Sequence, residues 1–229
     1  TTVFAGAMAT TSTSTSTTTT TSTSTTTSST GSTSTTTTTS SSISTTTTTS
    51  STSSTVPTTV PPTRISGSKL QIKDRAGDPS KRQIVFQSKD GAFSVASVDP
   101  GANGATLHVF SATGGPDSAC LEMPAASWTR KRTKWQYQDP HLHAGPVQSA
   151  TLKNGGLTVV AMGKGATPIA YTLDEPRQGS VAVVFRSGPT ALCATFGGTI
   201  KQDTGTNPPN PGGKGQFLAQ DAAAPASCA

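Results

Sequence analysis

Aromatic and cationic side chains are concentrated between Trp128 and Tyr137. Aromatic faces stack on sugar rings or bases, and cations attract phosphate, sulfate or uronate groups. This composition indicates contact with a polyanion, and with an acidic glycan in particular. The candidate binding residues are Trp128, Arg130, Lys131, Arg132, Lys134, Trp135 and Tyr137.

A structural interpretation of the same stretch stays open. In extended backbone Trp135 and Tyr137 project to one face, and Arg130 and Arg132 share a face in the same way. The stretch is therefore also consistent with a hairpin that turns at residues 130–132 and packs its tryptophans at the edge of a sheet.

The loop that follows contains the weak candidates for a metal site. His141 and His143 project to the same side of an extended chain, and Asp139 lies close enough to join them. Such a set suits zinc or copper. The alternative is a solvent-exposed loop with two incidental histidines, and we predict no metal or other cofactor.

No catalytic constellation is visible in the chain. It lacks the Gly-x-Ser-x-Gly, His-Glu-x-x-His and P-loop motifs. Asp174 and Glu175 precede a proline and are typical of a turn. A glycosidase needs two carboxylates that face each other across the substrate, and no pair in the sequence is indicated for that role. The loops at 99–104 and 203–213 lack the regular acidic spacing of a dedicated calcium site. We therefore predict that the protein is not an enzyme.

The charged residues and the cysteines all lie in the C-terminal part of the chain. The 229 residues carry a formal net charge of +6, and no Lys, Arg, Asp, Glu or His precedes Arg64. A basic module favours anionic partners, although no specific nucleic-acid motif is present. Of the three cysteines, we expect Cys193 to pair with Cys228 rather than with Cys120, because a disulfide would pin the C-terminal tail.

Threonine and serine dominate the N-terminal part. We interpret residues 1–9 as a remnant of a signal peptide that ends in Ala7-Met8-Ala9, and residues 10–63 as a disordered Thr/Ser/Pro-rich stalk. The stalk is open to three interpretations: a mucin-like segment with O-linked sugars, an unmodified linker, or an aggregation-prone segment. No run approaches the roughly 18 apolar residues of a membrane span, and we predict secretion or display at the cell surface.

Short alternating runs fill residues 64–229, and they predict a single all-β module. The runs begin at Lys69 and are separated by Gly, Pro, Asn and Asp, and Asn154-Gly155-Gly156 is a hairpin signal. Predicted strands include 92–98 and 169–173. The pattern is typical of an antiparallel β-sandwich, Ig-like or jelly-roll. The predicted core consists of Leu70, Ile72, Ile84, Phe86, Phe93, Val95, Leu107, Val109, Leu121, Leu157, Val159, Tyr171, Val181, Val183, Phe185, Leu192, Phe196 and Phe217.

Four stretches carry a resemblance to a known group of modules. They are Lys69-Leu70-Gln71-Ile72-Lys73-Asp74, Gly77-Asp78-Pro79-Ser80-Lys81-Arg82, Thr172-Leu173-Asp174-Glu175-Pro176 and Phe196-Gly197-Gly198-Thr199. These resemble uncharacterised β-rich modules of secreted proteins of environmental bacteria, which stand behind a mucin-like linker. The resemblance implies a secreted accessory module and assigns no site residue.

These observations lead to three hypotheses about function. The first is a secreted, stalk-displayed, non-catalytic module for surface adhesion or for binding acidic polysaccharide or another polyanionic surface. The second is an accessory carbohydrate-binding domain of a larger extracellular enzyme. The third is a structural subunit of a surface layer or filament. The oligomeric state is left open.

Overall fold

The computed structural model describes residues 61–91, 93–165, 167–175, 177–206 and 213–228. The predicted signal remnant and almost all of the predicted stalk lie outside these ranges. The strands are β1 Thr63–Arg64, β2 Gly67–Arg75, β3 Gln83–Ser88, β4 Ala105–Ser111, β5 Ser118–Met123, β6 Trp128–Lys131, β7 Lys134–Gln138, β8 Val147–Lys153, β9 Gly156–Met162, β10 Val181–Ser187, β11 Thr190–Phe196, β12 Thr199–Thr204 and β13 Lys214–Ala222. A short helix α1 spans Pro100–Asn103, and single 3-10 turns lie at Pro79–Lys81, Val95–Ser97 and Ala125–Ser127.

Within the described residues the strands form two sheets, as the all-β prediction requires. A five-stranded sheet has the order β1-β11-β10-β4-β5, and an eight-stranded sheet has the order β12-β13-β2-β3-β9-β8-β7-β6. Neighbouring strands are antiparallel except for the short parallel pair β1–β11, in which Thr63 lies opposite Leu192. Thr63, which we placed in the stalk, therefore belongs to the folded module.

One hydrophobic core lies between the two sheets, which makes the module a β-sandwich. The rings of Phe86 on β3 and Phe196 on β11 meet edge to face with centroids 6.1 Å apart. A Cβ atom at Gly67 would lie 2.2 Å from the ring of Phe196, so this position requires glycine. Every residue that we predicted for the core is buried. For those on strands the reason is that side chains of a strand alternate between the core and the solvent.

The hairpin predicted at Asn154-Gly155-Gly156 is confirmed. Strand β8 ends at Lys153 and β9 begins at Gly156, and Gly155 has φ of +69°. The two-residue turn needs this left-handed backbone, which glycine adopts without steric cost.

Two of the predicted strands are wrong. The described part of 92–98 contains a 3-10 turn, and the segment 169–173 is irregular although it buries Ile169, Tyr171 and Leu173 alternately. Its backbone bonds to side chains instead of a neighbouring strand: the Leu173 N–H donates to Asp74 Oδ2 at 3.0 Å, and Arg82 Nη1 donates to the Ile169 carbonyl at 2.8 Å. Alternation reports which residues are buried, but a strand also needs a ladder partner.

The structure joins Cys193 on β11 to Cys228 in a disulfide, with the two Cα atoms 5.9 Å apart. Cys120 is exposed and is not part of a disulfide. Arg64 reinforces this connection, since its Nη1 atom donates to the Ala226 carbonyl at 2.6 Å. The C-terminal segment is thus attached next to the start of the module.

Candidate functional site

The aromatic residues of the predicted binding stretch face the core. The stretch forms the β6–β7 hairpin, which turns at Arg132 and Thr133. Trp128 and Tyr137 lie opposite each other, 6% and 0% exposed, with ring centroids 5.4 Å apart. The indole N–H of Trp128 donates to the Met123 carbonyl at 3.2 Å. Trp128 and Tyr137 are therefore wrong as ligand contacts, because neither ring can reach a glycan.

Trp135 is half-buried and covers the edge of the core. Its indole N–H donates to the Val98 carbonyl at 3.1 Å, and the guanidinium of Arg130 lies 5.1 Å from the ring centroid. A Cβ atom at Gly101 would lie 2.7 Å from the same indole. The ring is thus engaged by its own fold and offers no open stacking platform.

The cations of the hairpin remain in contact with solvent. Arg130, Lys131 and Arg132 are exposed, and Lys134 is half-buried. Lys131 lies directly opposite Lys134, and Lys134 lies directly opposite Lys153 on β8. Like charges placed opposite each other in a sheet are destabilising unless something compensates them. A bound anion would provide that compensation.

This lysine row is one end of a larger surface, the outer face of the eight-stranded sheet. We call it the basic face. The outward, regularly paired positions of its strands are occupied by Thr199, Gln202 and Thr204; Lys214, Gln216, Leu218 and Gln220; Lys69, Gln71, Lys73 and Arg75; Gln83, Val85 and Gln87; Thr158, Val160 and Met162; Ser149, Thr151 and Lys153; Lys134, Gln136 and Gln138; and Thr129 and Lys131. These described, regularly paired positions include no Asp or Glu and no aromatic residue, whereas the exposed Asp221 lies in the unpaired position between Gln220 and Ala222 of β13.

The basic face has a second concentration of positive charge at the end of β2. Arg75 lies directly opposite Lys214, and both line an open cleft of about 430 Å³ with Lys73 and Lys81. Asp74 also lines the cleft, but its carboxylate already accepts from Arg82 Nε at 2.8 Å and from a backbone N–H. The local field therefore favours an anion.

Amide and hydroxyl groups accompany these cations. Gln202, Gln216 and Thr204 line the cleft at the end of β2, and a second open cleft of about 440 Å³ at the opposite end of the face is lined by Lys89, Lys153 and Asn154. Neutral donors and acceptors of this kind suit the hydroxyl groups of a sugar. The sequence showed alternating lysines opposite Leu70 and Ile72, but it could not show which strands would place them side by side.

The side chains of the predicted metal ligands, Asp139, His141 and His143, contact different partners. Asp139 Oδ2 accepts from the backbone N–H of Ala144 at 2.7 Å, and this bond and its neighbours lower the pKa of Asp139. The imidazoles of His141 and His143 stack on each other with centroids 5.5 Å apart. The three side chains do not converge on a common point, so the geometry gives the metal hypothesis no support.

An acidic cluster of Asp117, Asp174 and Glu175 was not anticipated from the sequence. Burial, together with the neighbouring Asp117, raises the pKa of Glu175. Burial and the charges of Asp117, Glu175 and Asp203 raise the pKa of Tyr171 well above its ordinary value. Asp117 lies far from the other two in the chain, so no local pattern could have revealed the cluster.

Cys120 lies on the outer face of the five-stranded sheet opposite His108. Burial and the nearby Glu122 raise the pKa of the Cys120 thiol, which disfavours the nucleophilic thiolate. Burial lowers the pKa of His108. This pair thus lacks the low thiol pKa that nucleophilic catalysis requires.

No known protein family, curated protein or solved structure significantly matches this chain. The resemblance to β-rich modules of secreted proteins therefore stays a prediction. Among the described residues, no helix has the length and apolar character that a membrane crossing needs.

Proposed function

We propose that the protein is an extracellular, non-catalytic binding module, displayed on its Thr/Ser-rich stalk, and that its basic face binds acidic polysaccharide. The carrying observation is the basic face itself, where cations and amides occupy the regularly paired outward positions of the described strands and none of these positions carries Asp or Glu. Of the original candidate set, the basic face keeps Lys131 and Lys134, with the exposed Arg132 in the adjoining turn, and the proposal drops the buried aromatic rings.

The dimensions of the face suit an extended polymer. Eight strands spaced about 4.8 Å apart span about 34 Å across the sheet. The Lys131–Lys134–Lys153 row and the cleft at Lys73 and Arg75 lie at opposite ends of the strands and on different sides of the sheet. A linear polyanion could contact both, whereas a small anion could contact only one.

The chemistry of the face favours a glycan over single-stranded nucleic acid. Proteins that bind single strands stack the bases on aromatic side chains, and the described outward positions offer none. Glutamines can bond to sugar hydroxyls, and the adjacent Val85 and Val160 can pack against the C–H face of a sugar ring. Uronate or sulfate groups would meet the lysines and arginines.

Salt-gradient elution of the full chain from an immobilised uronate or sulfated polysaccharide tests the proposal. The Lys73→Ser/Arg75→Ser double variant should elute at lower salt than the native protein, because it loses two cations of the face. The variant with Arg130, Lys131, Arg132 and Lys134 changed to Ser should do the same.

A matched control removes the same charge elsewhere. Lys164 and Arg186 are exposed and lie off the basic face, so Lys164→Ser/Arg186→Ser should elute close to the native protein. Failure of the native protein to bind would overturn the proposal. An equal shift for the control pair would show that net charge alone drives retention, and this too would overturn it.

A further inference from the structure

The acidic cluster brings together two segments that are distant in sequence. Asp117 lies in the turn between β4 and β5, whereas Asp174 and Glu175 lie in the long connection between β9 and β10. One carboxylate oxygen from each residue lies within 4.8 Å of the other two. Asp117 is buried, Glu175 is half-buried and Asp174 is exposed, so the cluster opens to solvent on one side.

Asp117 is the member whose surroundings call for a ligand. Asp117 is only 7% exposed. Its Oδ1 atom accepts from the hydroxyl of Thr172, while Oδ2 has no hydrogen-bond partner among the described residues. A buried carboxylate oxygen without a partner is costly, because it has lost water and gained nothing in return.

The neighbouring carboxylate cannot supply the missing partner when both groups are ionised. Glu175 lies next to Asp117, and its Oε2 atom accepts from Gln178 Nε2 at 2.8 Å. In that state neither carboxylate has a proton to donate, and the two negative charges repel each other. A cation between them would satisfy Asp117 Oδ2 and remove the repulsion.

The polar contacts around the cluster hold it in place. Gln178 accepts from the Tyr171 hydroxyl at 2.7 Å, and its backbone N–H donates to Asp203 Oδ1 at 2.8 Å. The N–H of Gly179 donates to the second oxygen of Asp203 at 2.9 Å. The Glu175 side of the cluster is thus positioned by its own network, which lowers the cost of ordering it around an ion.

We propose that Asp117, Asp174 and Glu175 bind a calcium ion, which ties the β4–β5 turn to the β9–β10 connection. The ligand atoms are all oxygens, which calcium prefers and which zinc and copper do not. Two oxygens bound to one calcium ion can lie up to about 4.6–5.2 Å apart, whereas magnesium allows only about 4.2 Å. The three ligand atoms lie within 4.8 Å of one another, which the bond lengths of calcium accommodate.

None of the three carboxylates occupies an outward position of the basic face, and the calcium measurement does not require glycan binding. It lies between irregular segments beside β5 and β10, which belong to the five-stranded sheet, and the ion would act as a structural cross-link. No acidic residue precedes Arg64, so the N-terminal tract supplies no competing carboxylate, and the full chain is suitable for the measurement.

Calorimetric titration of the EDTA-treated full chain with calcium chloride, combined with thermal unfolding, tests this site. Saturable binding should raise Tm by about 5–10 °C at a calcium concentration 100 times Kd. The Asp117→Asn variant keeps the shape of the side chain and an oxygen for Thr172, and it should weaken binding about ten-fold or more. The Glu175→Gln variant should behave in the same way.

Asp221→Asn is the matched control, since Asp221 is exposed on β13 and lies outside the cluster. Its calcium affinity should equal that of the native protein. The absence of heat and of any Tm shift up to about 10 mM calcium, well above the Kd of weak extracellular sites, would overturn the proposal. In that case we would interpret Asp117 and Glu175 as a carboxyl–carboxylate pair that shares a proton. Native affinity in a folded Asp117→Asn variant would also overturn it, because the ion would then lie elsewhere.

Discussion

Trp128 and its neighbours in the β6–β7 hairpin show how side-chain direction decides the role of a residue. Trp128 and Tyr137 pack against each other inside the sandwich, and Arg130 lies over Trp135 at its edge. The cations of the same hairpin point to solvent. A single stretch thus supplies part of the core and part of the charged surface.

Replacing Trp128 with alanine should lower the free energy of unfolding by about 3–5 kcal/mol, since it removes a large buried ring and its hydrogen bond to Met123. Urea unfolding followed by circular dichroism measures this loss. Trp128→Phe is the control, and it should cost less because it keeps most of the apolar contact. A change below about 1 kcal/mol for the alanine variant would mean that the ring contributes little to the core.

At the scale of elements, pairing between strands creates the functional surface. The lysine row exists because β6, β7 and β8 pair in a register that aligns Lys131, Lys134 and Lys153. A shift of one residue in either pairing would turn one of these lysines to the opposite face. The edge strands of the eight-stranded sheet are also protected: β6 is cationic, and β12 carries an irregularity between Ile200 and Gln202. These features disfavour the addition of a further strand to this sheet.

The Cys193–Cys228 disulfide should stabilise the module by about 3–4 kcal/mol, because it closes a loop with a sequence separation of 35 in the unfolded chain. Cys228→Ser should therefore lower Tm, and a reductant should lower the Tm of the native protein to a similar value. Cys120→Ser should have little effect, because this exposed residue forms no disulfide. Equal Tm values for the native and Cys228→Ser proteins would show that the tail contributes nothing to stability.

At the scale of the whole molecule, charge is segregated along the chain. All of the Lys, Arg, Asp and Glu residues lie from Arg64 onward, in the part that contains the folded module. We propose that the uncharged N-terminal tract separates this basic module from the surface that carries it. The long-range attraction to a polyanion then depends on the module alone.

This attraction should be sensitive to ionic strength. Retention on an acidic polysaccharide should disappear near 1 M salt, where the Debye length is about 3 Å. A neutral polysaccharide of similar size is the control, and it should not retain the protein at any salt concentration. Retention that survives at high salt would point to hydrogen bonds and apolar contacts as the main source of affinity.

Much of the fold could be predicted from local patterns. Alternation identified the buried residues even at Ile169, Tyr171 and Leu173, where the backbone forms no strand. The strand assignment failed there because the N–H of Leu173 bonds to Asp74, which lies far away in the sequence. Local periodicity records burial, whereas a ladder depends on distant partners.

The candidate site could be predicted only in part. The cations from Arg130 to Lys134 were visible because they are adjacent in sequence. Lys153, Lys73 and Arg75 join the same face only through the order of the strands in the sheet. Asp117 meets Glu175 because a long connection folds back over the end of a hairpin, and no spacing in the sequence encodes that contact.

The sequence by itself determined the all-β class, the core residues and the basic character of the module, since these follow from period-two alternation and composition. Only the tertiary structure decided that Trp128 and Tyr137 are buried, that the lysines form one face and that three carboxylates meet. The physical reason is that sheet pairing and packing join residues across long stretches of chain, and those contacts depend on the fold as a whole.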